Sequence, residues 1–173
     1  MRFLLKLLFW LFIIAVLAGI AYGIYRTIKA QHDTWQQEFL SGKVPAQSPD
    51  GFYRGSIREM SVSWQGKKFD AAHQTGINVI KKDGTTYDAY RFITHPGKGL
   101  RDGNDVLVID YNIAGNPFWL KRIVDEIVEV APGKYLGKVH VKIIPGYPFA
   151  MGFFRLEKDS EESKDAKDSK EVR

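Results

Sequence analysis

Tyr87-Asp88-Ala89-Tyr90-Arg91-Phe92-Ile93-Thr94-His95 is a β-type run with side chains suited to chemistry. A period of two places Tyr87, Ala89, Arg91, Ile93 and His95 on one face. A guanidinium and an imidazole beside a phenol would orient an anionic or carbonyl-bearing ligand if that face lines a cavity. Facing water, they would be ordinary surface residues. The opposite face, Asp88, Tyr90, Phe92 and Thr94, is comparably mixed, so both readings stay open. A second group comprises Arg101, Asp102, Asp105 and Asp110. Asp102 and Asp105 flank Gly103-Asn104, which is turn chemistry. Asp110 follows Val106 to Ile109, apolar on both phases, so a partly buried Asp110 would need a partner. Arg122 and Asp125 are candidates for ion pairing. A structural polar network accounts for this group more simply than catalysis.

The usual enzyme fingerprints are absent: G-x-G-x-x-G, the P-loop, H-E-x-x-H and G-x-S-x-G. His32, His73, His95 and His140 are scattered, with no second histidine at three or four residues, so no metal or cofactor is expected. His140 shares an alternating run with Lys138 and Lys142 and is expected to be exposed. With no cysteine, thiol catalysis, disulfides and a thiolate zinc site are excluded. The aromatic residues, among them Trp64, Tyr87, Tyr111 and Trp119, suit either core packing or the lining of an apolar pocket. Together with Arg91 and His95, those four form the candidate ligand-binding set.

The elements that must position them are short β-type runs between turns. Ser61 to Gln65 alternates around Val62 and Trp64. Ile77 to Ile80 and Tyr87 to Ile93 flank Asp83-Gly84, a hairpin signal. Asp105 to Ile113, Ile127 to Val130, Tyr135 to Ile144 and Phe149 to Leu156 follow, separated by Pro132-Gly133 and Pro145-Gly146. Six or more such strands predict an antiparallel sandwich or barrel. One short helical segment is expected between Asn116 and Ile127, with Trp119, Ile123 and Ile127 spaced four apart.

Ahead of this domain, Leu7 to Tyr25 is a nineteen-residue run without a charged side chain. At 1.5 Å per residue it reaches roughly 28 Å, near the hydrocarbon thickness of a bilayer. Its Leu, Ile, Phe and Val residues favour insertion by about 3 to 7 kcal/mol. A cleaved secretory signal is the competing reading, with Gly19-Ile20-Ala21 as a small-residue site, but the apolar run continues past it. The amino terminus, Arg2 and Lys6 face Arg26 and Lys29 across the span, a slim bias for the N-terminus inside. The working picture is a bacterial inner-membrane protein with a periplasmic domain. Ala15, Gly19 and Gly23 form a small-xxx-small ridge on which two spans would pack as a weak homodimer.

Residues 1–40 are therefore anchor and stalk, 41–50 a linker, 51–156 the folded domain and 157–173 a disordered charged tail. The formal charge of +5 divides unevenly, with a tail of net −2 and a body of +7. Such a dispersed excess does not point to nucleic acid.

Within the domain, Gly51-Phe52-Tyr53-Arg54-Gly55 resembles the G-x-W-x-G signature of a lipocalin-like domain family, mostly uncharacterised, with Tyr53 in place of Trp. Trp64-Gln65-Gly66-Lys67-Lys68-Phe69 is similar to its W-x-G-K-x-F element. Asp110-Tyr111, Asn116-Pro117, Val124-Asp125-Glu126, Tyr135-Leu136-Gly137 and Pro148-Phe149 follow in similar order. The resemblance implies a calycin-type β-barrel that binds a small apolar molecule, and it implies no catalytic residues. The expected fold is mainly β: a transmembrane helix, then a small antiparallel lipocalin-like barrel with one short helical segment. The expected function is binding of a lipophilic molecule at the membrane surface. The alternatives are a non-enzymatic envelope scaffold, or an enzyme on a lipid-like substrate using Arg91, His95 or Asp110.

Overall fold

The computed structural model describes residues 1–58 and 63–158. The first helix, α1, runs from Arg2 to Gln31 and is long and apolar enough to cross a membrane. Its apolar first two-thirds touches little else in the chain. Towards its C-terminal end Gly23, Thr27 and Ala30, spaced four and three apart, are buried on one face. His32-Asp33 breaks the helix, and Asp33 caps a second one, α2 (Thr34–Ser41), by accepting from Trp35 N at 2.8 Å. The part of residues 1–40 expected as a stalk does not stand free: the end of α1 packs along β8, and α2 folds back onto the sheet. Phe39 and Gln36 are buried, because the apolar side of α2 finds a sheet to cover.

Eight antiparallel strands close a barrel in chain order: β1 (Gly51–Ser56), β2 (Trp64–Asp70), β3 (Thr75–Lys82), β4 (Thr85–Lys98), β5 (Asp105–Asp110), β6 (Ile123–Ala131), β7 (Lys134–Ile144) and β8 (Tyr147–Lys158). β1 pairs with β8 to seal it, so the sheet has no free edge. The Asp83-Gly84 hairpin forms as expected, with Lys82 opposite Thr85. Between Asn116 and Ile127 the expected helical segment shrinks to one 3-10 turn, Leu120–Arg122, and Ile123 already begins β6. The apolar residues four apart serve two different elements there. The front of the Ser61 to Gln65 run and the tail after Lys158 lie outside the described residues.

Alternation along each strand builds the core. Tyr53, Phe69, Phe92, Leu107, Ile109, Tyr111, Ile127, Tyr135, Phe154 and Leu156 form one buried cluster inside the barrel. Ring size is matched by glycine. A Cβ on Gly76 would sit 2.3 Å from Phe92, the residue paired with it, and one on Gly137 would sit 2.1 Å from its partner Phe154. A Cβ on Gly55 would meet Trp64 at 2.4 Å. Small residues thus leave room for large rings, and the rings fill the barrel. Gly66 supplies a different need: at φ +144° it brings the β2 backbone close to Tyr53 O, where a side chain has no space.

A second buried cluster lies outside the barrel, where Ala30, Trp35 and Phe39 cover Val106, Val128, Leu136, Ala150 and Phe153. β5 to β8 are therefore covered on both faces, whereas β1 to β4 keep an open outer face.

Candidate functional site

The centre of the barrel holds a lysine. Lys67 on β2 shares its phase with Phe69, so its side chain points inward, and it is 2% exposed. Its ammonium lies 3.0 Å from Asp125 Oδ2 and donates to Asn78 Oδ1 at 3.0 Å and to the Tyr111 hydroxyl. Tyr111 donates to Asp125 Oδ2 at 3.0 Å, and Trp64 Nε1 donates to Asn78 Oδ1 at 3.0 Å. Asn78 Nδ2 donates to Tyr90 O at 2.9 Å, which ties in β4. Five side chains, four from β2, β3 and β6 and Tyr111 from just past β5, therefore form one hydrogen-bonded unit. The rings of Trp64, Phe92, Tyr111 and Phe154 surround the ammonium at 5.1 to 5.5 Å, close enough for cation–π attraction.

Burial pulls the Lys67 amine below its ordinary range, and the charge and hydrogen bond of Asp125 oppose that shift. Tyr111 is pushed well above the usual phenol range, first by burial and then by the Asp125 charge. An amine moved towards neutrality is what a nucleophile or proton acceptor requires. Here, however, the amine is enclosed by rings and its polar neighbours are engaged. The arrangement reads as a satisfied polar core.

Among the residues expected to bind a ligand, Trp64 and Tyr111 meet in this unit. The other four do not join them. The expectation that Tyr87, Ala89, Arg91, Ile93 and His95 share a face is corrected by one residue. Asn78 pairs with Ala89 while Ile77 pairs with Arg91, so Tyr90 is a bulge, with φ +61°. Tyr87 and Ala89 keep the phase of Asn78, whereas Arg91, Ile93 and His95 turn to the exposed outer face. His95 Nδ1 contacts only its neighbour's carbonyl, Pro96 O, at 3.1 Å among the described residues. Arg91 and Ile93 line an outer groove of about 420 Å³ with Lys68, Asp88 and Ile113. Tyr87 and Trp119 are exposed at one end of the barrel, where Trp119 meets Tyr90 edge-on at 5.8 Å. Arg122 does not pair with Asp125, whose buried carboxylate is taken by Lys67; Asp110 instead accepts from Asn112 N at 2.8 Å.

A second polar group is buried outside the barrel. Lys138 on β7 is 0% exposed and binds Asp102 Oδ2 at 2.5 Å and Gln36 Oε1 of α2 at 2.8 Å. Beside it, Glu126 and His140 are both 0% exposed with 3.6 Å between oxygen and nitrogen, too long for a hydrogen bond. The expected exposure of His140 is thus overturned: α2 and the 99–104 loop cover that face of β7. Burial raises the Glu126 carboxyl to about 7 and lowers the His140 imidazole to about 3. Glu126 Oε1 accepts from Leu100 N at 2.6 Å, which holds the loop down.

Asn78 and Lys138 carry no recognisable motif, whereas Lys67 stands at the lysine of the W-x-G-K-x-F element. A signal for Lys67 existed in its phase, since it alternates with Phe69; Asp125 likewise shares its phase with Ile123 and Ile127. For Lys138 and His140 no such signal existed, because the helix that buries them lies a hundred residues away.

No protein-family model matches the chain, and no curated protein matches it. A solved structure, the crystal structure of a protein from Thermomonospora curvata, is similar with a TM-score of 0.49 and 19% identity, covering 84% of this chain and 96% of that chain.

Proposed function

We propose that this chain is a non-enzymatic interaction module held at a membrane surface, with its working surface on the outside of the barrel. The observation that carries this reading is the closed Lys67–Asp125–Tyr111–Asn78 unit, packed among rings where a lipocalin-like calyx would hold its ligand. Opening that space for a lipophilic molecule would strip a buried ion pair of its partners, at a cost of several kcal/mol. The resemblance to the G-x-W-x-G family fits the barrel and extends the proposal to its members. A bacterial inner membrane with the barrel in the periplasm belongs to the same reading, supported by the slim excess of the amino terminus, Arg2 and Lys6 ahead of the span over Arg26 and Lys29 behind it.

The outer face of β2 to β4 is the surface most open to a partner, since α1 and α2 cover β5 to β8. A photoreactive residue at Ile93, in the full-length chain in native membranes, tests it. The proposal expects a discrete crosslinked protein band that Arg91→Glu abolishes while the barrel stays folded. A crosslink to a small lipophilic molecule alone would favour ligand binding in the outer groove and overturn the reading.

A further inference from the structure

Helix α1 and strand β8 run side by side in the same direction. Gly23 packs under the Phe149 ring, Ala150 N donates to Thr27 Oγ1 at 3.0 Å, Arg26 reaches Met151 O, and Ala30 joins the cluster of Phe153. The apolar part of α1 therefore leaves the barrel at the end where β8 begins. Register fixes what else lies at that end: Ile123 pairs with Val141, which pairs with Phe149, so all three sit level with Gly23. Residues 142–148, which form the β7–β8 hairpin, extend past that level beside the helix, and the segment that follows Tyr111 and precedes β6 lies at the same end of the barrel. Two or three residues at about 3.3 Å each carry the hairpin roughly 7 to 10 Å further. Gly23 itself lies inside the uncharged Leu7 to Tyr25 run.

That end of the barrel has an unusual surface. Phe118 is 83% exposed, Ile143 57%, Trp119 48% and Tyr147 39%. Among them stand Lys121, Arg122 and Lys142, and segments 111–122 and 142–148 contain no Asp or Glu. At the opposite end the turns Ala71–Gln74 and Pro132–Gly133 expose no large apolar side chain, and the 99–104 connection exposes only Leu100. Aromatic rings with basic neighbours are the composition that settles at a headgroup layer, particularly an anionic one.

We propose that the barrel end formed by residues 111–122 and 142–148 seats in the headgroup layer of the membrane spanned by α1, with preference for anionic lipid. The proposal rests on α1 being the anchor, and a control separates the two. The chain has no cysteine, so single nitroxide labels at Phe118→Cys, Ile143→Cys, Leu11→Cys and Ala72→Cys are unambiguous. Full-length protein is reconstituted in vesicles of phosphatidylethanolamine and phosphatidylglycerol, or of phosphatidylcholine alone. Labels at 118 and 143 are expected to collide with a neutral aqueous nickel chelate several-fold less than the label at 72, and more with oxygen. The difference should be larger in the anionic vesicles and shrink in a Lys121→Gln/Arg122→Gln/Lys142→Gln background. If 118 and 143 behave like 72 while 11 is in lipid, the seat is overturned and the anchor stands. If 11 is in water, both fall. Shielding of 118 and 143 from both reagents would mean a second copy or another protein covers this end, which also overturns the proposal.

Discussion

The two buried lysines of this barrel sit on opposite sides of the same sheet and do different work. Lys67 points inward and joins side chains from three strands, and Tyr111 just past β5, around one carboxylate, Asp125. Lys138 points outward and joins β7 to the 99–104 loop through Asp102 and to α2 through Gln36. Ring cages differ correspondingly: Trp64, Phe92, Tyr111 and Phe154 around the first, Phe39 of α2 and Phe153 of β8 around the second. The inner lysine belongs to the barrel itself. The outer one belongs to the attachment of α2, together with Arg155, which pairs with Glu38 at 2.5 Å and stacks on Trp35 from 4.6 Å. Burying a lysine on either face is expensive, and what it holds together depends on the elements its partners come from.

Removing one partner from each cluster should separate these roles. Asp125→Ala leaves the Lys67 charge unpaired among rings, and the expected loss is about 3 to 5 kcal/mol in denaturant unfolding of the full chain. Replacing both, as Lys67→Met with Asp125→Leu, should recover most of that loss, since a packed apolar pair substitutes for a buried ion pair. If the double variant is as unstable as the single one, the inner unit is more than a paired charge.

Lys138→Met should cost less, about 2 to 3 kcal/mol, because Asp102 is 12% exposed and water can reach it. Its signature should also be local. Hydrogen exchange is expected to rise across Thr34–Ser41 and the 99–104 loop while β2 and β3 stay protected. Uniform loss of protection would erase the distinction between the two lysines.

The neighbouring Glu126 and His140 sharpen it by pH. Glu126 titrates near 7 folded against an ordinary 4.5, so between those values the folded state holds the extra proton and stability falls as pH rises. His140 titrates near 3 folded against 6.5, so below 6.5 the unfolded state holds the extra proton and stability falls with acid. From 4.5 to 6.5 the two slopes oppose, and the wild-type curve should carry little net slope from this pair. Glu126→Gln should leave stability falling as pH is lowered from 6.5, by roughly 1 kcal/mol per pH unit, and His140→Asn should give the opposite slope. The same sign in both variants would contradict the account.

Much of this was legible in the residues. The long apolar helix, the Asp83-Gly84 hairpin and the barrel follow from charge-free length, turn chemistry and alternation. Trp64 and Tyr111 stood among the candidate residues because they are large rings in β runs, and they do meet at the centre. Arg91 and His95 part from the face of Tyr87 because a single bulge at Tyr90 reverses the phase that the period of two carries. His140 and Lys138 read as a wet face since alternation reports which residues share a side and says nothing about what covers it. The ridge of Ala15, Gly19 and Gly23 was visible, but Gly23 meets Phe149 of its own barrel, a tertiary contact that spacing does not announce.

The central claim is that side chains, with Lys67 at their centre, occupy the space where a calyx would hold its ligand. Native mass spectrometry of the full chain released from its membranes, alongside Lys67→Met/Asp125→Leu, tests it most directly. The account predicts the bare mass for wild type and for the double variant. A stoichiometric lipophilic adduct on wild type that the folded double variant loses would contradict it.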